Sequence, residues 1–229
     1  MSTSTITAII PARSGSKGLP QKNVKRLGNR SLVEIAIDCA LESNSVENIV
    51  VTSDSDEILK QAIQRGVIAH KRPSNLAADG SPMVNVIANV IASNLVSTDY
   101  AVLLQPTSPL RRSDMILDSF DLLKSTNADA VYSMQELDKR LLKSWVVDPI
   151  SGSLNPITTR FSPFANRQGL SQPFLCDGLI YLFSVMAFIE SGSLPIDNVQ
   201  RITFDKNLAV DIDTIEDFES VRQHFQDGS

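Results

Sequence analysis

The sequence has few of the features that mark a secreted, zinc-binding or membrane-inserted chain. Its only two cysteines, Cys39 and Cys176, lie far apart and form no CxxC or Cys/His pattern, which argues against a disulfide framework and a zinc site. No apolar run approaches the roughly 20 residues that cross a bilayer. Residues 1–7 lack the basic and apolar regions of a secretory signal. We therefore expect a protein of the reducing cytoplasm, without membrane association.

Excess positive charge and flexible linkers are lacking as well. The formal net charge is -5, and no segment concentrates Lys and Arg, so a general affinity for nucleic acid or anionic membrane has no electrostatic support. Hydrophobic residues make up 42% of the chain, enough for a substantial core. Because no Gly/Ser/Pro-rich linker divides the chain, we predict one main domain, residues 1–229, with a small insertion.

Short apolar runs alternate with helical patterns through the first half of the chain. This alternation predicts an α/β fold, a doubly wound and mostly parallel sheet with helices on both faces. The predicted strands are Ile6–Ile10, Ile49–Val51, Val67–Ala69, Tyr100–Leu104 and Ala128–Met134. The predicted helices are Leu32–Ala40, after the possible cap Ser31, then Ile58–Ile63, Met83–Val96 and Met115–Leu123.

The pattern weakens from Gln135 to Asn166, which is the candidate insertion. Within it, Lys143–Asp148 and Ser153–Ile157 have the character of short strands, and we predict a hairpin that projects from the main sheet. Beyond the insertion we predict strands at Phe174–Phe183 and Leu208–Ile212 and a terminal helix at Thr214–Phe225.

A basic loop that contains glycine follows the first predicted strand. In open α/β sheets, ligands lie at the carboxyl ends of strands, and here Gly15 and Gly18 would let backbone N–H groups approach phosphate. Positive charge for a triphosphate would come from Arg13, Lys17 and Lys22. The spacing matches neither GxxxxGK[ST] nor GxGxxG, which disfavours the corresponding ATPases and nicotinamide dehydrogenases. A solvated turn is the alternative, but the position after the first strand favours phosphate binding.

Two aspartates near the carboxyl end have the spacing of a metal site. Asp211 and Asp213 are two residues apart on a predicted strand, so their side chains should point to one face. They could share magnesium, a hard cation that bridges protein carboxylates to substrate phosphates. Alternatively, Asp213 or Thr214 caps the terminal helix, with Asp217 completing a capping-box-like pattern after Thr214. The spacing by itself leaves these readings even.

Several blocks of residues together resemble one enzyme family. Pro11–Asn23 matches throughout a proline-alanine-arginine loop that continues as x-G-S-K-G-x-x-x-K-N. Further blocks follow in the family's order: Ser53-Asp54, Arg72-Pro73, Leu76–Asp79, Leu104–Arg111, Arg167-Gln168, Gly178–Tyr181 and Asp211–Thr214. Over nearly the whole chain, the sequence resembles the acylneuraminate cytidylyltransferase (CMP-sialic acid synthetase) family. The resemblance implies a Rossmann-like nucleotidyltransferase that joins CMP from CTP to an acidic nine-carbon sugar and releases pyrophosphate.

The resemblance also implies roles for individual residues. For nucleotide binding it implicates Arg13, Gly15, Ser16, Lys17, Lys22, Asn23, Arg72 and Ser81. For the sugar it implicates Gln105, Lys143, Arg167, Asp177 and Tyr181. It favours Asp211 and Asp213 as ligands of Mg2+, with Asp211, Arg13, Lys17 and Lys22 as the catalytic group. An amide at Gln105 suits sugar hydroxyls, and the guanidinium of Arg167 suits a substrate carboxylate.

A homodimer is a further implication of the resemblance, because the segment 135–166 falls where family members exchange structure between subunits. The apolar contact would come from Leu141, Leu142, Trp145 and Val147. The alternative is that these side chains pack within their own subunit.

One block departs from the family. Sialic acid enzymes commonly read arginine-x-asparagine-glycine where this chain has Leu175-Cys176-Asp177-Gly178, so two polar contacts are replaced. The acceptor could therefore be legionaminic or pseudaminic acid instead. Cys176 has no histidine near it in the sequence, and we interpret it as a filler.

Two interpretations from other classes remain. A catalytically silent nucleotide-binding regulatory module is disfavoured because both Asp211 and Asp213 are present. A purely structural α/β module would leave the basic loop and the paired aspartates unexplained.

Overall fold

The computed structural model describes residues 5–16, 18–78 and 80–225. The strands are β1 Ile6–Pro11, β2 Arg26–Leu27, β3 Arg30–Ser31, β4 Val46–Ser53, β5 Ile68–Lys71, β6 Tyr100–Leu103, β7 Ala130–Glu136, β8 Trp145–Val147, β9 Leu154–Pro156, β10 Phe174–Ser184 and β11 Val199–Ile202. The α-helices are α1 Leu32–Leu41, α2 Asp56–Gln64, α3 Met83–Ala92, α4 Ser113–Thr126, α5 Val185–Ser191 and α6 Ile215–Arg222.

Seven strands form the main sheet in the order β11-β7-β10-β6-β1-β4-β5. Strand β1 pairs in parallel with β4 and β6, β4 pairs in parallel with β5, and β11 with β7. Strand β10 runs antiparallel to β6. The prediction of a mostly parallel, doubly wound α/β sheet is confirmed.

Strand β1, beside the middle strand of the sheet, is buried on both of its faces. Alternate residues Ile6, Ala8 and Ile10 belong to one apolar cluster with residues of α1. Ile9 points to the opposite face by the two-residue period of a strand, and it is also fully buried. Helix α3 also contacts this strand. A near-continuous apolar run is what a strand with two covered faces requires.

Two helices begin with the reciprocal caps that their sequences predict. At α1, Ser31 accepts from the backbone of Glu34, whose side chain bonds back to Ser31 N. At α6, the same box joins Thr214 and Asp217. Hydrogen bonds from backbone N–H groups of Thr214 and Asp213 lower the pKa of Asp217. The capping group of α6 is therefore Thr214 with Asp217, and the side chains of Asp211 and Asp213 are not its cap.

The predicted strand at 208–212 is wrong. Those residues, all described, make no strand; a short 3-10 helix ends at Leu208, and α6 begins at Ile215. The prediction also missed β11 and α5. Strand β11 pairs with β7 alone at the sheet edge, so it is only partly buried and its sequence shows no apolar run.

The chain divides into two compact units. The second is Met134–Cys176, and the first comprises the rest of the described chain. The second unit contains the predicted insertion 135–166 and the predicted hairpin: β8 pairs antiparallel with β9, with Trp145 opposite Pro156 and Val147 opposite Leu154. Within the described residues, no helix is both long and apolar enough to span a bilayer.

Candidate active site

A pocket of about 320 Å³ opens in the first unit, beside the point where the strand order reverses. From β1 the chain builds outward through β4 and β5, and then returns to place β6 on the other side, which is where open α/β sheets bind ligands. The pocket is lined by Pro11, Arg13, Gly15, Ser16, Lys22, Asn23, Arg72, Leu76, Ala78, Ser81, Met83, Val86, Gln105, Pro106, Thr107, Asp211 and Asp213.

The structure thus brings together most of the residues that the sequence singled out. Ten of the predicted residues line this one pocket: Arg13, Gly15, Ser16, Lys22, Asn23, Arg72, Ser81, Gln105, Asp211 and Asp213. Lys17, which was predicted to be catalytic, lies outside the described residues.

The loop after β1 is tied to the body of the first unit. Ala12 N donates to Thr52 O at 3.0 Å. The side-chain amide of Asn23 donates to Arg13 O at 2.9 Å. A short 3-10 helix, Lys22–Val24, then carries Lys22 and Asn23 with both side chains turned inward. Hydrogen bonds therefore hold both ends of the predicted nucleotide-binding loop where it lines the pocket.

Lys22 connects this loop to the aspartate segment. Its side chain is largely buried, and its Nζ donates to Ile212 O at 2.7 Å and to Asp213 Oδ1 at 2.8 Å. Asp213 is the exposed partner of the pair. The lysine predicted to contact phosphate is therefore adjacent to a carboxylate predicted to bind metal.

Gly18 packs against the same segment. A Cβ atom at Gly18 would lie 2.3 Å from the backbone oxygen of Asp213, closer than real Cβ atoms approach. The sequence suggested that Gly18 lets its backbone approach phosphate. The structure adds that any larger residue would collide with the chain that bears the aspartates.

The two aspartates lie on one side of the chain, although they are not on a strand of the sheet. Ile212 between them is buried, and its N–H donates to Thr107 O at 2.8 Å. Asp211 and Asp213 are exposed and line the pocket. Among the residues described, no cluster of three or more His, Cys, Asp or Glu forms a complete metal cage. Magnesium commonly takes one or two carboxylates and completes its shell with substrate phosphates and water, so this donor set fits it.

Arg72 presents an unused donor at the pocket. It is 4% exposed, and its Nε atom is buried without a hydrogen-bond partner among the described residues. Burial lowers the pKa of Arg72, Asp54 opposes that shift, and the positive charge of Arg13 adds to it. A buried donor without a partner costs about 1–3 kcal/mol.

Two predicted sugar residues in the first unit do not line the pocket among the described residues. Asp177 accepts from Ser133 Oγ and from Leu179 N, so its carboxylate is used within the fold. Tyr181 packs against Tyr132, with ring centroids 5.6 Å apart. Their contact with a sugar stays a prediction.

Lys143 and Arg167 belong to the second unit. Lys143 ends a short 3-10 helix, and Arg167 lies 3.5 Å from Asp138. Hydrogen bonds from Arg140, with a smaller contribution from the charge of Arg167, lower the pKa of Asp138 to about 2. Their roles toward a sugar also stay predictions.

Sequence reasoning missed the apolar wall of the pocket, which consists of Leu76, Ala78, Met83 and Val86. The first two were noted as part of a family block without a role. Met83 is the first residue of α3, directly after Pro82, and was taken only as part of an apolar helical face. The start of α3 at Met83 could have indicated this wall, because Met83 and Val86 lie in the first two turns of the helix and both line the pocket.

Comparison with known proteins gives three findings. The sequence model of the cytidylyltransferase family matches residues 7–148. An N-acylneuraminate cytidylyltransferase of Streptococcus agalactiae is 28% identical over 225 residues, which is 94% of this chain and 52% of that protein. A CMP-N,N'-diacetyllegionaminic acid synthase of Legionella pneumophila is 30% identical over 217 residues, which is 91% of each chain. The chain thus spans about half the length of the first of these relatives and nearly all of the second.

Among solved structures, a CMP:2-keto-3-deoxy-manno-octonic acid synthetase complexed with CTP superposes with a TM-score of 0.73. The match covers 99% of this chain and 100% of that chain, at 16% identity. At this identity the similarity establishes the fold alone.

Proposed function

This chain belongs to the cytidylyltransferase family, and from that premise we propose that it transfers CMP from CTP to an acidic nine-carbon sugar of the N-acylneuraminate type, with release of pyrophosphate. The observation that carries the proposal is one pocket that combines the basic loop after β1, the buried donor of Arg72 and the two aspartates. A nucleoside triphosphate requires positive charge for its phosphates and oxygen ligands for its metal ion. The pocket offers both within about 320 Å³.

The proposed reaction is an in-line displacement. The anomeric hydroxyl oxygen of the sugar forms a bond to the α-phosphorus of CTP, and the bond from that phosphorus to the pyrophosphate oxygen breaks. Arg13 and Lys22 line the pocket and supply positive charge for the departing phosphates. Gln105, just beyond the end of β6, orients the sugar hydroxyls. Most of the rate enhancement then comes from positioning and charge stabilisation, as in phosphoryl transfer generally.

We assign Asp211 and Asp213 as the residues that would hold Mg2+. When bound, magnesium supplies charge neutralisation on the phosphates and assists loss of the hydroxyl proton. Lys22 lies 2.8 Å from Asp213 and balances part of the carboxylate charge before any metal binds.

The identity of the acceptor sugar is a separate point from the type of reaction. The relatives named above act, by their names, on N-acylneuraminate and on diacetyllegionaminate. Asp177 lies in β10 and accepts from Ser133 Oγ and Leu179 N, so its carboxylate is already engaged within the fold. We propose an N-acylneuraminate acceptor, with legionaminic or pseudaminic acid as the alternative. We propose that the reaction takes place in the cytoplasm, which is consistent with the two free cysteines.

The test is pyrophosphate release from CTP and magnesium with a panel of nonulosonic acids, and with UTP and ATP as controls. Release with CTP and one sugar is the expected result, and it would name the acceptor. Tight CTP binding without release on any sugar would contradict the proposal and favour the silent regulatory module.

We also propose a homodimer formed through the second unit, whose hairpin exposes much apolar surface. Trp145 and Val147 alternate with Val146, so their side chains share one face of β8 and Val146 points to the other. Val147→Glu is expected to convert the dimer to a monomer, because it puts a charge into the apolar face. Light scattering at micromolar concentration measures this.

The matched control is Val146→Glu, on the opposite face of the same strand, which is expected to remain dimeric. A wild-type protein that is monomeric under these conditions would refute the dimer. Equal dissociation by both variants would mean that the contact is not confined to the face of Trp145 and Val147, and a Val147→Glu variant that stays dimeric would contradict the hairpin contact.

A further inference from the structure

The turn that follows β4 lies outside the pocket lining but is bonded to the loop that enters it. Neither Ser14 nor Asp54 is among the described residues that line the pocket, whereas Arg13, Gly15 and Ser16 are. Ser14 N donates to Asp54 Oδ1 at 2.9 Å, and Ser14 Oγ donates to Asp54 Oδ2. Both oxygens of one carboxylate therefore hold one residue in the middle of the phosphate-binding loop.

The carboxylate itself is held on an anchored turn. Lys71 Nζ donates to the backbone oxygen of Asp54 at 2.8 Å. Just before it, the buried Ser53 accepts from Ser55 N at its side chain and from Arg72 N at its backbone. Ser14 is exposed, so water competes for its hydrogen bonds. Because the turn that carries Asp54 is already ordered, the hydrogen bonds from Ser14 to its carboxylate form with little further loss of conformational entropy, and water competes with them less well.

Asp54 also carries the charge that accompanies the two guanidinium groups of the pocket. Hydrogen bonds from Ser14 and the charge of Arg72 lower the pKa of Asp54, although burial acts in the opposite direction. Arg13 and Arg72 repel each other, and Asp54 offsets that repulsion at Arg72. The same carboxylate thus bonds to the loop beside Arg13 and balances the charge of Arg72.

From these contacts we propose that Asp54 is a positioning residue: it holds the Arg13–Ser16 segment in the conformation that receives the triphosphate of CTP. It acts through Ser14 and touches neither the nucleotide nor the sugar. The inference rests on the proposed function for its effect on catalysis, but the Ser14–Asp54 contact itself can be tested without substrate.

The first measurement is hydrogen exchange of residues 12–16 in the ligand-free protein. Asp54→Ala is expected to speed exchange in that segment, because Ser14 N–H loses its acceptor. Asp54→Asn is expected to retain wild-type exchange, since an amide oxygen can accept from Ser14 N–H while its NH2 group donates to Ser14 Oγ. Glu57→Gln, three residues along and exposed, is the matched control and should leave the segment unchanged.

The second measurement is the kinetics of pyrophosphate release. Asp54→Ala is expected to raise the KM for CTP about tenfold, which corresponds to about 1.4 kcal/mol of binding free energy. Glu57→Gln should keep the wild-type KM, and the KM of Asp54→Asn should be closer to that of the wild type than to that of Asp54→Ala. A merely structural role would lower the Tm of Asp54→Ala without changing its KM or the exchange of residues 12–16.

Three results would overturn the proposal: unchanged exchange in Asp54→Ala, an unchanged KM in that variant, or equally fast exchange in Asp54→Asn and Asp54→Ala. The last would mean that the hydrogen bonds to Ser14 are not what holds the loop. A wild-type protein without pyrophosphate release would instead contradict the proposed function, and the exchange experiment would still decide whether Asp54 holds Ser14.

Discussion

Asp211→Asn is expected to reduce pyrophosphate release about a thousandfold, equivalent to about 4 kcal/mol in the activation free energy. The substitution exchanges an anionic oxygen ligand for a neutral amide in the pocket that would hold CTP and magnesium. Metal stabilisation of transition-state charge is worth several kcal/mol, so weakening the metal site should lower the turnover rate strongly.

The fold should be unaffected, because Asp211 is exposed and the helix cap that follows is made by Thr214 and Asp217. We expect an unchanged Tm and a higher magnesium concentration for half-maximal residual activity. Asp197→Asn, another exposed aspartate of the first unit, is the control and should behave as the wild type. Near-wild-type activity in Asp211→Asn would remove the metal assignment.

Asp213→Asn should differ from Asp211→Asn in a diagnostic way. It also takes the charge partner from Lys22, whose ammonium group is largely buried. We therefore expect loss of Tm as well as of activity at position 213, and loss of activity alone at position 211.

Gly18→Ala is the second substitution with a large expected effect. The added Cβ would lie 2.3 Å from the backbone oxygen of Asp213, so either the loop or the aspartate segment must move. Overpacking of this kind costs about 1–3 kcal/mol of stability. A displacement of about 1 Å at a catalytic group can reduce the rate about a hundredfold. We expect both a lower Tm and a strong loss of kcat.

Gly15→Ala is the matched control for stability, since a Cβ there meets no atom within 4 Å. It should keep the wild-type Tm. If Gly18→Ala retained both the wild-type Tm and the wild-type kcat, the loop and the aspartate segment would not be in contact in solution.

Local pattern was enough to predict the fold class and part of the pocket, whereas Ser16, Asn23, Arg72 and Ser81 were predicted through the family resemblance. Apolar runs that alternate with helical periodicity predict a parallel sheet, because each strand must be buried on both faces and each helix on one. Polar and basic residues directly after Pro11 and at Gln105 identified the carboxyl ends of β1 and β6. These are local signals, and each depends on only a few neighbouring residues.

The strand prediction failed where pairing, not sequence, decides the structure. Leu208–Ile212 is as apolar as a short strand, but it pairs with no strand. Its bonds to distant residues include one from Ile212 N to Thr107 O and one from Lys22 Nζ to Ile212 O. Asp211 and Asp213 nevertheless lie on one side of the chain, as predicted: both are exposed, and Ile212 between them is buried.

The sequence by itself determined the alternation of strands and helices through the first half of this protein, the basic loop and the aspartate pair. Only the tertiary structure decided that Lys22 bonds to Asp213, 191 residues away, that Gly18 packs on the same segment, and that Asp54 holds Ser14 across 40 residues. The physical reason is that such contacts depend on the positions that the strands take beside one another in the sheet. Strand order brings distant loops to one sheet edge, and no local periodicity records which loops will meet there.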